Sequence, residues 1–153
     1  MNVAVLGAGN GGFATAADLA LAGHSVRLWG RSAQALGPVA SDSKITLTAE
    51  GRAGAARLAR ATTELGEAVA GAEILVAPIP ATGHDDLANR LAPHVTERHI
   101  ILLTPGTLGS YAMARALARA GAKLPFALAE TGTLPYLTRK TGPAAASAPV
   151  RAA

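Results

Sequence analysis

The stretch that decides the fold is residues 2–12, which read NVAVLGAGNGG. The first half, Asn2–Leu6, is a short run of apolar and β-branched residues and predicts a strand. Gly7, Gly9 and Gly12 follow at once with the spacing G-x-G-x-x-G. This spacing is a weak signal alone, because short glycine combinations often arise by chance. Here it directly follows a predicted strand and opens a predicted helix, which is the context that makes it specific.

A helix and a second strand complete this unit. Phe13–Ala22 has apolar residues at helical spacing and stops at Gly23, and Ser25–Trp29 predicts the next strand. In such units the first glycine permits a tight turn, the second lets the backbone approach a pyrophosphate, and the third lets helix and strand pack closely. Free amides and the dipole at the helix N-terminus favour the anion. The unit therefore predicts a dinucleotide-binding turn. The alternative is a plain turn in an α/β protein that binds something else.

Short apolar strands and helices continue to alternate along the chain. The predicted strands cover residues 45–48, 55–58, 74–77, 100–103 and 126–129, and the predicted helices cover residues 63–69, 85–91 and 108–120. Parallel strands need crossover connections, which are usually helical and right-handed. The pattern therefore predicts an α/β fold with a Rossmann-like doubly wound parallel sheet in a single domain. Residues 45–58 are expected to form a small hairpin through Glu50 and Gly51.

The end of the chain lacks this periodic pattern. From Thr141 onward Gly, Pro, Ala and Ser dominate. We therefore expect a dinucleotide-binding domain over residues 1–140 and a disordered Ala/Pro-rich tail over residues 141–153.

The loop after the second predicted strand bears on the choice of dinucleotide. Proteins that prefer NAD place an Asp or Glu there, about 20 residues beyond the glycines. Residues 28–32 instead read LWGRS and contain no acid. Arg31 and Ser32 offer a cation and a hydroxyl to a 2′-phosphate, so we expect NADP to be preferred over NAD. The alternatives are that Arg31 is a solvated loop residue and that Trp29 only packs.

Residues at the ends of predicted strands complete the expected cofactor site. Thr104, Pro105 and Gly106 end one strand at a point where the backbone can approach a nicotinamide ring, although a simple turn would explain them almost as well. The expected cofactor-binding residues are Gly7, Gly9, Asn10, Gly11, Gly12, Trp29, Arg31, Ser32, Pro78, Thr104, Pro105 and Gly106.

The composition argues against several other functions. The chain has no cysteine, which removes disulfides and thiolate chemistry and fits a reducing cytoplasm. Its net charge is +4, yet the arginines are scattered and only 3% of residues are aromatic, which does not favour nucleic-acid binding. No apolar run approaches the roughly 20 residues of a membrane span. No metal-binding histidine pair, G-x-S-x-G elbow or P-loop is present. We expect a cytoplasmic protein without metal, nucleic-acid or membrane partners.

Four stretches of the chain resemble the octopine and nopaline dehydrogenases, the opine dehydrogenase family, whose N-terminal part is related to that of glycerol-3-phosphate dehydrogenases. They are residues 3–12 (VAVLGAGNGG), 17–31 (ADLALAGHSVRLWGR), 101–109 (ILLTPGTLG) and 129–139 (AETGTLPYLTR). Many dehydrogenases share the first stretch, whereas the last two together are more particular to this family. The resemblance covers about residues 1–140.

The resemblance implies a reductive condensation, in which an amino acid and a 2-oxo acid form an imine that NAD(P)H reduces. In this family the reaction takes place in a cleft between the dinucleotide-binding domain and a helical C-terminal domain that supplies the proton-transferring histidine and its acidic partner. Nothing in this chain matches that domain, so we expect it to be absent and leave open whether the chain is an enzyme. A partner chain or a homo-oligomer could complete the site. The alternatives are a non-catalytic NAD(P)-binding or redox-sensing module and the remnant of a truncated gene.

Two further residues become candidates through the resemblance. It implies that Glu130 contacts the amino substrate and that His84 lies near the nicotinamide or the substrate. The alternatives are that Glu130 is a surface or helix-capping carboxylate and that His84 is a partly exposed histidine capping the helix from Asp85. No catalytic residue is assigned with certainty.

Overall fold

The computed structural model describes residues 1–151, which form two sheets and six helices. The strands are β1 (Asn2–Leu6), β2 (Ser25–Trp29), β3 (Lys44–Ala49), β4 (Gly54–Arg57), β5 (Arg60–Thr62), β6 (Ile74–Ala77), β7 (Ile100–Leu103), β8 (Ala127–Glu130), β9 (Tyr136–Gly142) and β10 (Ala145–Arg151). The helices are α1 (Asn10–Leu21), α2 (Ala33–Leu36), α3 (Val39–Asp42), α4 (Leu65–Val69), α5 (His84–Leu91) and α6 (Gly109–Arg119). A single 3₁₀ turn, Ala81–Gly83, precedes α5.

The first sheet has six parallel strands in the order β5-β2-β1-β6-β7-β8. The order reverses beside β1, which is the switch point where ligands of open α/β sheets bind. Val3 and Val5 of β1 pack on one face of the sheet, and Ala4 and Leu6 pack on the other. Because both faces are covered, the central strands β1, β6 and β7 are apolar at nearly every position. The predicted α/β fold with a Rossmann-like parallel sheet is confirmed.

Helix α1 lies between the first sheet and a second sheet. Residues 12–18 of this helix are all buried, including Ala14, Ala16 and Ala17, which have no exposed surface. A helix with one covered face would alternate buried and exposed residues. This helix is covered on opposite sides, because it contacts β1 and β2 as well as β3, β4, β9 and β10. Its small alanine side chains suit this close packing from both sides.

The second sheet has four strands in the order β4-β3-β10-β9. Strands β3 and β4 pair antiparallel, so the predicted small hairpin is confirmed. Strand β10 inserts beside β3 in parallel, with Ala145 opposite Thr46, and pairs antiparallel with β9 on its other side.

The expected disordered tail over residues 141–153 is wrong for the part of it that forms strand β10. Ala146 and Ala148 are each only 1% exposed and pack in the core beside α1. The strand is stable despite its weak composition because β3 and β9 satisfy its backbone on both sides. Pro149 falls within a break in the pairing register with β9, where a missing N–H is tolerated. The expected boundary at residue 140 lies inside β9, and residues 152–153 lie outside the described range.

The sequence pattern does not predict strands β5 and β9 either. Strand β5 has only three residues, Arg60–Thr62, and β9 is polar or charged over most of its length, so neither shows an apolar strand pattern. Both occupy edges of their sheets, where such sequences are common.

Asp18 fastens α1 to two separate parts of the second sheet. Its side chain is largely buried, and its Oδ1 accepts a hydrogen bond from Arg52 Nη1, in the β3–β4 turn, at 2.9 Å. Its Oδ2 accepts a second hydrogen bond from the Tyr136 hydroxyl of β9, also at 2.9 Å. A buried carboxylate needs such partners to offset the loss of hydration.

We expect Asp18→Asn to lower the free energy of unfolding by about 2 kcal/mol, because it removes the charge from two hydrogen bonds. Urea denaturation of both proteins would measure the change. Glu97→Gln is the matched control, since Glu97 pairs with Lys123 at 3.8 Å while both side chains are more than 70% exposed. The control should change stability by less than about 0.5 kcal/mol. Equal effects of the two substitutions would contradict the structural role of Asp18.

Candidate functional site

The glycine-rich turn between β1 and α1 is shaped by two close contacts. A Cβ added to Gly12 would lie 1.6 Å from the carbonyl oxygen of Gly7. A Cβ on Gly7, whose φ is +140°, would lie 2.6 Å from Ile79 Cγ2. Both positions therefore require glycine for packing. Gly9 differs, because a Cβ there would have no atom of the protein within 4 Å.

Helix α1 begins immediately after Gly9, which is its N-cap and offers no side chain to the helix. The first N–H groups of a helix have no acceptors within it. At this end of α1 they adjoin open space above Gly9, and together with the helix dipole they favour an anion. The turn thus has backbone donors and the room for a ligand to reach them.

Two cavities meet at this turn. The first cavity, of about 390 Å³, lies on the side of β2 and is lined by Gly7, Ala8, Gly9, Trp29, Arg31, Ala35, Pro78, Ile79, Pro80, Thr82, Gly83, Asp86 and Leu87. The second cavity, of about 510 Å³, lies on the side of β7 and is lined by Gly9, Asn10, Gly11, Thr15, Pro78, Ile79, Pro80, Thr104, Pro105, Leu134, Pro135, Tyr136, Leu137 and Thr138. Gly9 and the segment 78–80 line both cavities, so an extended ligand with two ends would cross the turn at Gly9.

Two buried hydroxyl groups line the second cavity without a hydrogen-bond partner. Thr15, in α1, is 4% exposed, and Thr104, after β7, is 5% exposed. Neither Oγ1 atom has an acceptor or donor within the described residues. A buried hydroxyl without a partner costs about 1–3 kcal/mol, so a polar ligand in this cavity would recover that loss.

The structure brings most of the predicted cofactor residues to these cavities. Nine of the twelve line one cavity or both, and they are Gly7, Gly9, Asn10, Gly11, Trp29, Arg31, Pro78, Thr104 and Pro105. The other three line neither. Gly12 packs on Gly7, Gly106 packs on Glu130, and the Ser32 hydroxyl accepts the Ala35 N–H as the N-cap of α2.

Trp29 and Arg31 differ in how firmly they are held. Trp29 is only 4% exposed, and its Nε1 donates to the Thr63 carbonyl at 2.9 Å, so it packs as well as lining the first cavity. Arg31 is exposed at the rim of that cavity. Asp86 is the acid that lines this cavity, and it pairs with Arg90 at 3.0 Å.

Glu130 holds the loop between β7 and α6. Its Oε1 accepts the Leu108 N–H at 2.8 Å, and its Oε2 accepts the Ser110 N–H at 2.7 Å. The hydrogen bond from the Ser110 N–H is the largest cause and lowers the pKa of Glu130. Burial opposes it, and the hydrogen bond from the Leu108 N–H lowers the pKa further. The carboxylate therefore caps α6, and Glu130 lines neither cavity. Its contact with an amino substrate stays a prediction.

His84 is buried, so the alternative of a partly exposed histidine is wrong in its exposure. It is the first residue of α5 and is 3% exposed. Its ring lies against Gly109, where a Cβ would come within 2.8 Å of the imidazole Cε1. The packing of α5 on α6 encloses it, and it lines neither cavity. A contact between His84 and nicotinamide or substrate stays a prediction.

Several lining residues were not predicted from the sequence. Thr15 is one of them. A threonine inside an alanine-rich helix gives no sequence signal that it contacts a ligand. The segment 134–138 is another, and it reaches the second cavity only because β9 joins the second sheet. The sequence signal that could have indicated this segment is its position inside the stretch 129–139, which resembles the opine dehydrogenases.

Comparison with known proteins agrees with this geometry. Residues 2–123 match the family described as NAD-dependent glycerol-3-phosphate dehydrogenase N-terminus. The chain belongs to this family of dinucleotide-binding domains from NAD(P)-dependent oxidoreductases.

Individual relatives narrow the resemblance to opine dehydrogenases. An opine dehydrogenase of Arthrobacter sp. (strain 1C) is 34% identical over 140 residues, which are 92% of this chain and 39% of that protein. Octopine dehydrogenase, solved with NADH and L-arginine, superposes with a TM-score of 0.81 at 20% identity, over 99% of this chain and 40% of its own. Yersinopine dehydrogenase, solved with NADP⁺, superposes with a TM-score of 0.77 at 15% identity, over 99% of this chain and 39% of its own. The chain thus spans about two fifths of each relative, and the predicted resemblance to their N-terminal domain is confirmed.

Metal-binding clusters and membrane-spanning helices are both absent from residues 1–151. No group of three or more His, Cys, Asp or Glu side chains there is arranged to hold a metal ion. None of the helices in that range combines the length and the apolar character required to cross a membrane.

Glu130→Gln should lower the melting temperature at neutral pH, because a neutral amide accepts the two backbone N–H groups more weakly. Since folding lowers the pKa of Glu130, the carboxylate stabilises the fold above its ordinary pKa of 4.5, and that contribution is lost as the pH falls through the lower folded value. The difference in melting temperature between the two proteins should therefore shrink below pH 4.5. Thermal unfolding of both proteins across this range, with Glu97→Gln as control, tests it. A difference independent of pH would contradict the capping role.

Proposed function

We propose that the chain binds NADP(H), and NAD(H) more weakly, across the two cavities, as the dinucleotide-binding half of an opine-forming oxidoreductase. The adenosine end occupies the first cavity, the pyrophosphate crosses Gly9, and the nicotinamide end occupies the second cavity. The observation that carries this proposal is Gly9, which lines both cavities and has open space where a side chain would stand.

Each part of the site has a distinct binding task. The amides at the start of α1 bind the pyrophosphate, and Arg31 at the rim of the first cavity pairs with a phosphate on the adenosine ribose. The unpartnered hydroxyls of Thr15 and Thr104 bind polar groups of the nicotinamide end. The bound cofactor would supply the hydride that reduces an imine of an amino acid and a 2-oxo acid.

The described lining of the second cavity contains no group suited to move a proton. Among the described residues that line it, none is His, Lys, Arg, Asp or Glu, and the Tyr136 hydroxyl is bonded to Asp18. Reduction of an imine to an amine requires a proton as well as a hydride. We therefore propose that another domain or a partner chain, a second copy included, covers this cavity and supplies the proton donor.

The absence of a proton donor among the described residues of the second cavity favours a second candidate, a non-catalytic NAD(P)-binding or redox-sensing module. The two are separated by following NADPH oxidation in mixtures of amino acids with pyruvate or 2-oxoglutarate. Cofactor binding with turnover, by the chain alone or after addition of the remaining part of a relative such as the Arthrobacter opine dehydrogenase, supports the oxidoreductase. Cofactor binding without turnover in either case supports the module. Absence of binding by a folded chain would support a gene remnant.

Gly9→Val should abolish NADPH binding, because its side chain would occupy the space through which the pyrophosphate reaches the turn. A steric conflict of about 3 kcal/mol already corresponds to roughly a hundredfold loss of affinity. The measurement is isothermal titration calorimetry with NADPH and NADH, beside circular dichroism to establish that the variant is folded.

Gly132→Val is the matched control, since Gly132 also has no atom within 4 Å of an added Cβ and lines neither cavity. The control should bind as the unmodified chain does. Retained affinity in Gly9→Val would rule out the proposed path of the pyrophosphate.

Arg31→Asp should weaken NADPH binding by roughly tenfold to a hundredfold, the value of one charge-assisted hydrogen bond, and NADH binding much less. Arg98→Asp, at an exposed position away from both cavities, is the control for the change in net charge. Competition between the two dinucleotides measures the selectivity directly. Equal losses for NADPH and NADH would remove Arg31 from the recognition of the 2′-phosphate.

A further inference from the structure

Lys140 reaches from the second sheet to the glycine-rich turn. Its backbone N–H donates to Asn10 Oδ1 at 2.9 Å. Its Nζ donates to the carbonyl oxygens of Ala8 at 3.4 Å and Ala35 at 3.2 Å. The ammonium also lies 3.6 Å from the centre of the Phe13 ring. One side chain of β9 thus contacts the turn, α1 and α2 together.

The charge of Lys140 has no anionic partner in the described part of the chain. No carboxylate there comes within the 4.0 Å of an ion pair, and its contacts are two carbonyls and a ring. Burial lowers the pKa of this lysine, as expected when lost hydration is not replaced by an opposite charge. An ammonium has three N–H donors, and the two carbonyls use two of them. A nearby anion could therefore bind a partly desolvated ammonium that has one unused N–H donor.

The two carbonyls that hold Lys140 belong to residues of the first cavity. Ala8 and Ala35 both line it, together with Arg31. This cavity lies beyond the end of β2, where dinucleotide-binding domains recognise the adenosine ribose. The Lys140 ammonium thus lies behind the cavity wall formed by Ala8 and Ala35, whereas Arg31 lies at the rim of the cavity. Charges act over longer distances in such a poorly solvated wall than in water.

We propose that Lys140 is a second cation, beside Arg31, for the phosphate on the adenosine ribose of NADPH, so that the two sheets jointly determine cofactor selectivity. This inference rests on the proposed function. The flexible stem of lysine lets the ammonium exchange one carbonyl for a phosphate oxygen. The cation comes from a strand more than one hundred residues after the turn, beyond the region where Rossmann-type motifs carry their selectivity residues.

The test compares Lys140→Met with the unmodified chain by calorimetric titration of NADPH and NADH at low ionic strength. The affinity for NADPH should fall about tenfold, as expected for loss of a charge-assisted contact, and the affinity for NADH by less than about twofold. Adenosine 2′,5′-bisphosphate and adenosine 5′-monophosphate serve as smaller probes, and the first alone should lose affinity. Lys44→Met, which removes an exposed charge from β3 of the same sheet, should leave the affinities for NADPH and NADH unchanged.

Lys140→Arg separates charge from support of the fold. It keeps the cation but changes the contacts with the two carbonyls, so the ratio of NADPH to NADH affinity should remain near that of the unmodified chain. Equal losses for both dinucleotides in Lys140→Met would show that Lys140 only braces the turn, and would overturn the inference. Unchanged NADPH affinity would overturn it too while leaving the proposed function intact. An unmodified chain that binds neither dinucleotide would refute the proposed function itself.

Discussion

The contact between Gly12 and the carbonyl oxygen of Gly7 is the constraint on which the rest of the structure depends. A Cβ at residue 12 would lie 1.6 Å from that oxygen, so α1 packs against the turn at a distance that only glycine allows. This close approach sets the direction in which α1 leaves β1. It also leaves Gly9 at the outside of the turn, with open space above it and a cavity on each side. Packing and ligand access are therefore consequences of the same few backbone atoms.

The direction of α1 gives the second sheet its role. The helix is buried on opposite sides, so β3, β4, β9 and β10 complete its core as much as the parallel sheet does. Asp18, bonded to Arg52 and Tyr136, fixes their position on the helix. Because β9 is held there, residues 134–138 cover the second cavity and Lys140 reaches the turn. The stability of the fold and the shape of the site thus depend on the same layer.

Glu130 illustrates how a residue from a family-like stretch can have a structural task. It is the last residue of β8, at the end of the sheet where ligands of α/β proteins bind, and there its carboxylate accepts the N–H groups of Leu108 and Ser110 at the start of α6. The loop between β7 and α6 carries Thr104 and Pro105 into the second cavity. By holding the loop, Glu130 shapes the cavity without lining it. A sequence pattern that specifies an acid at this position does not distinguish such a support from a direct contact with a ligand.

The sequence by itself determined the elements whose signal is local. Strands such as Asn2–Leu6 and Ile74–Ala77, the glycine-rich turn and the hairpin of β3 with β4 follow from apolar runs, spacing and turn residues within about a dozen positions. The tertiary structure alone decided the pairing of β10 with β3, the burial of His84, and the presence of Thr15 and Lys140 beside the turn. These features join residues far apart in the chain, as in the pairing of Ala145 with Thr46. A strand rich in alanine shows no apolar period of its own. It becomes a strand because neighbours on both sides bind its backbone and α1 covers its small side chains.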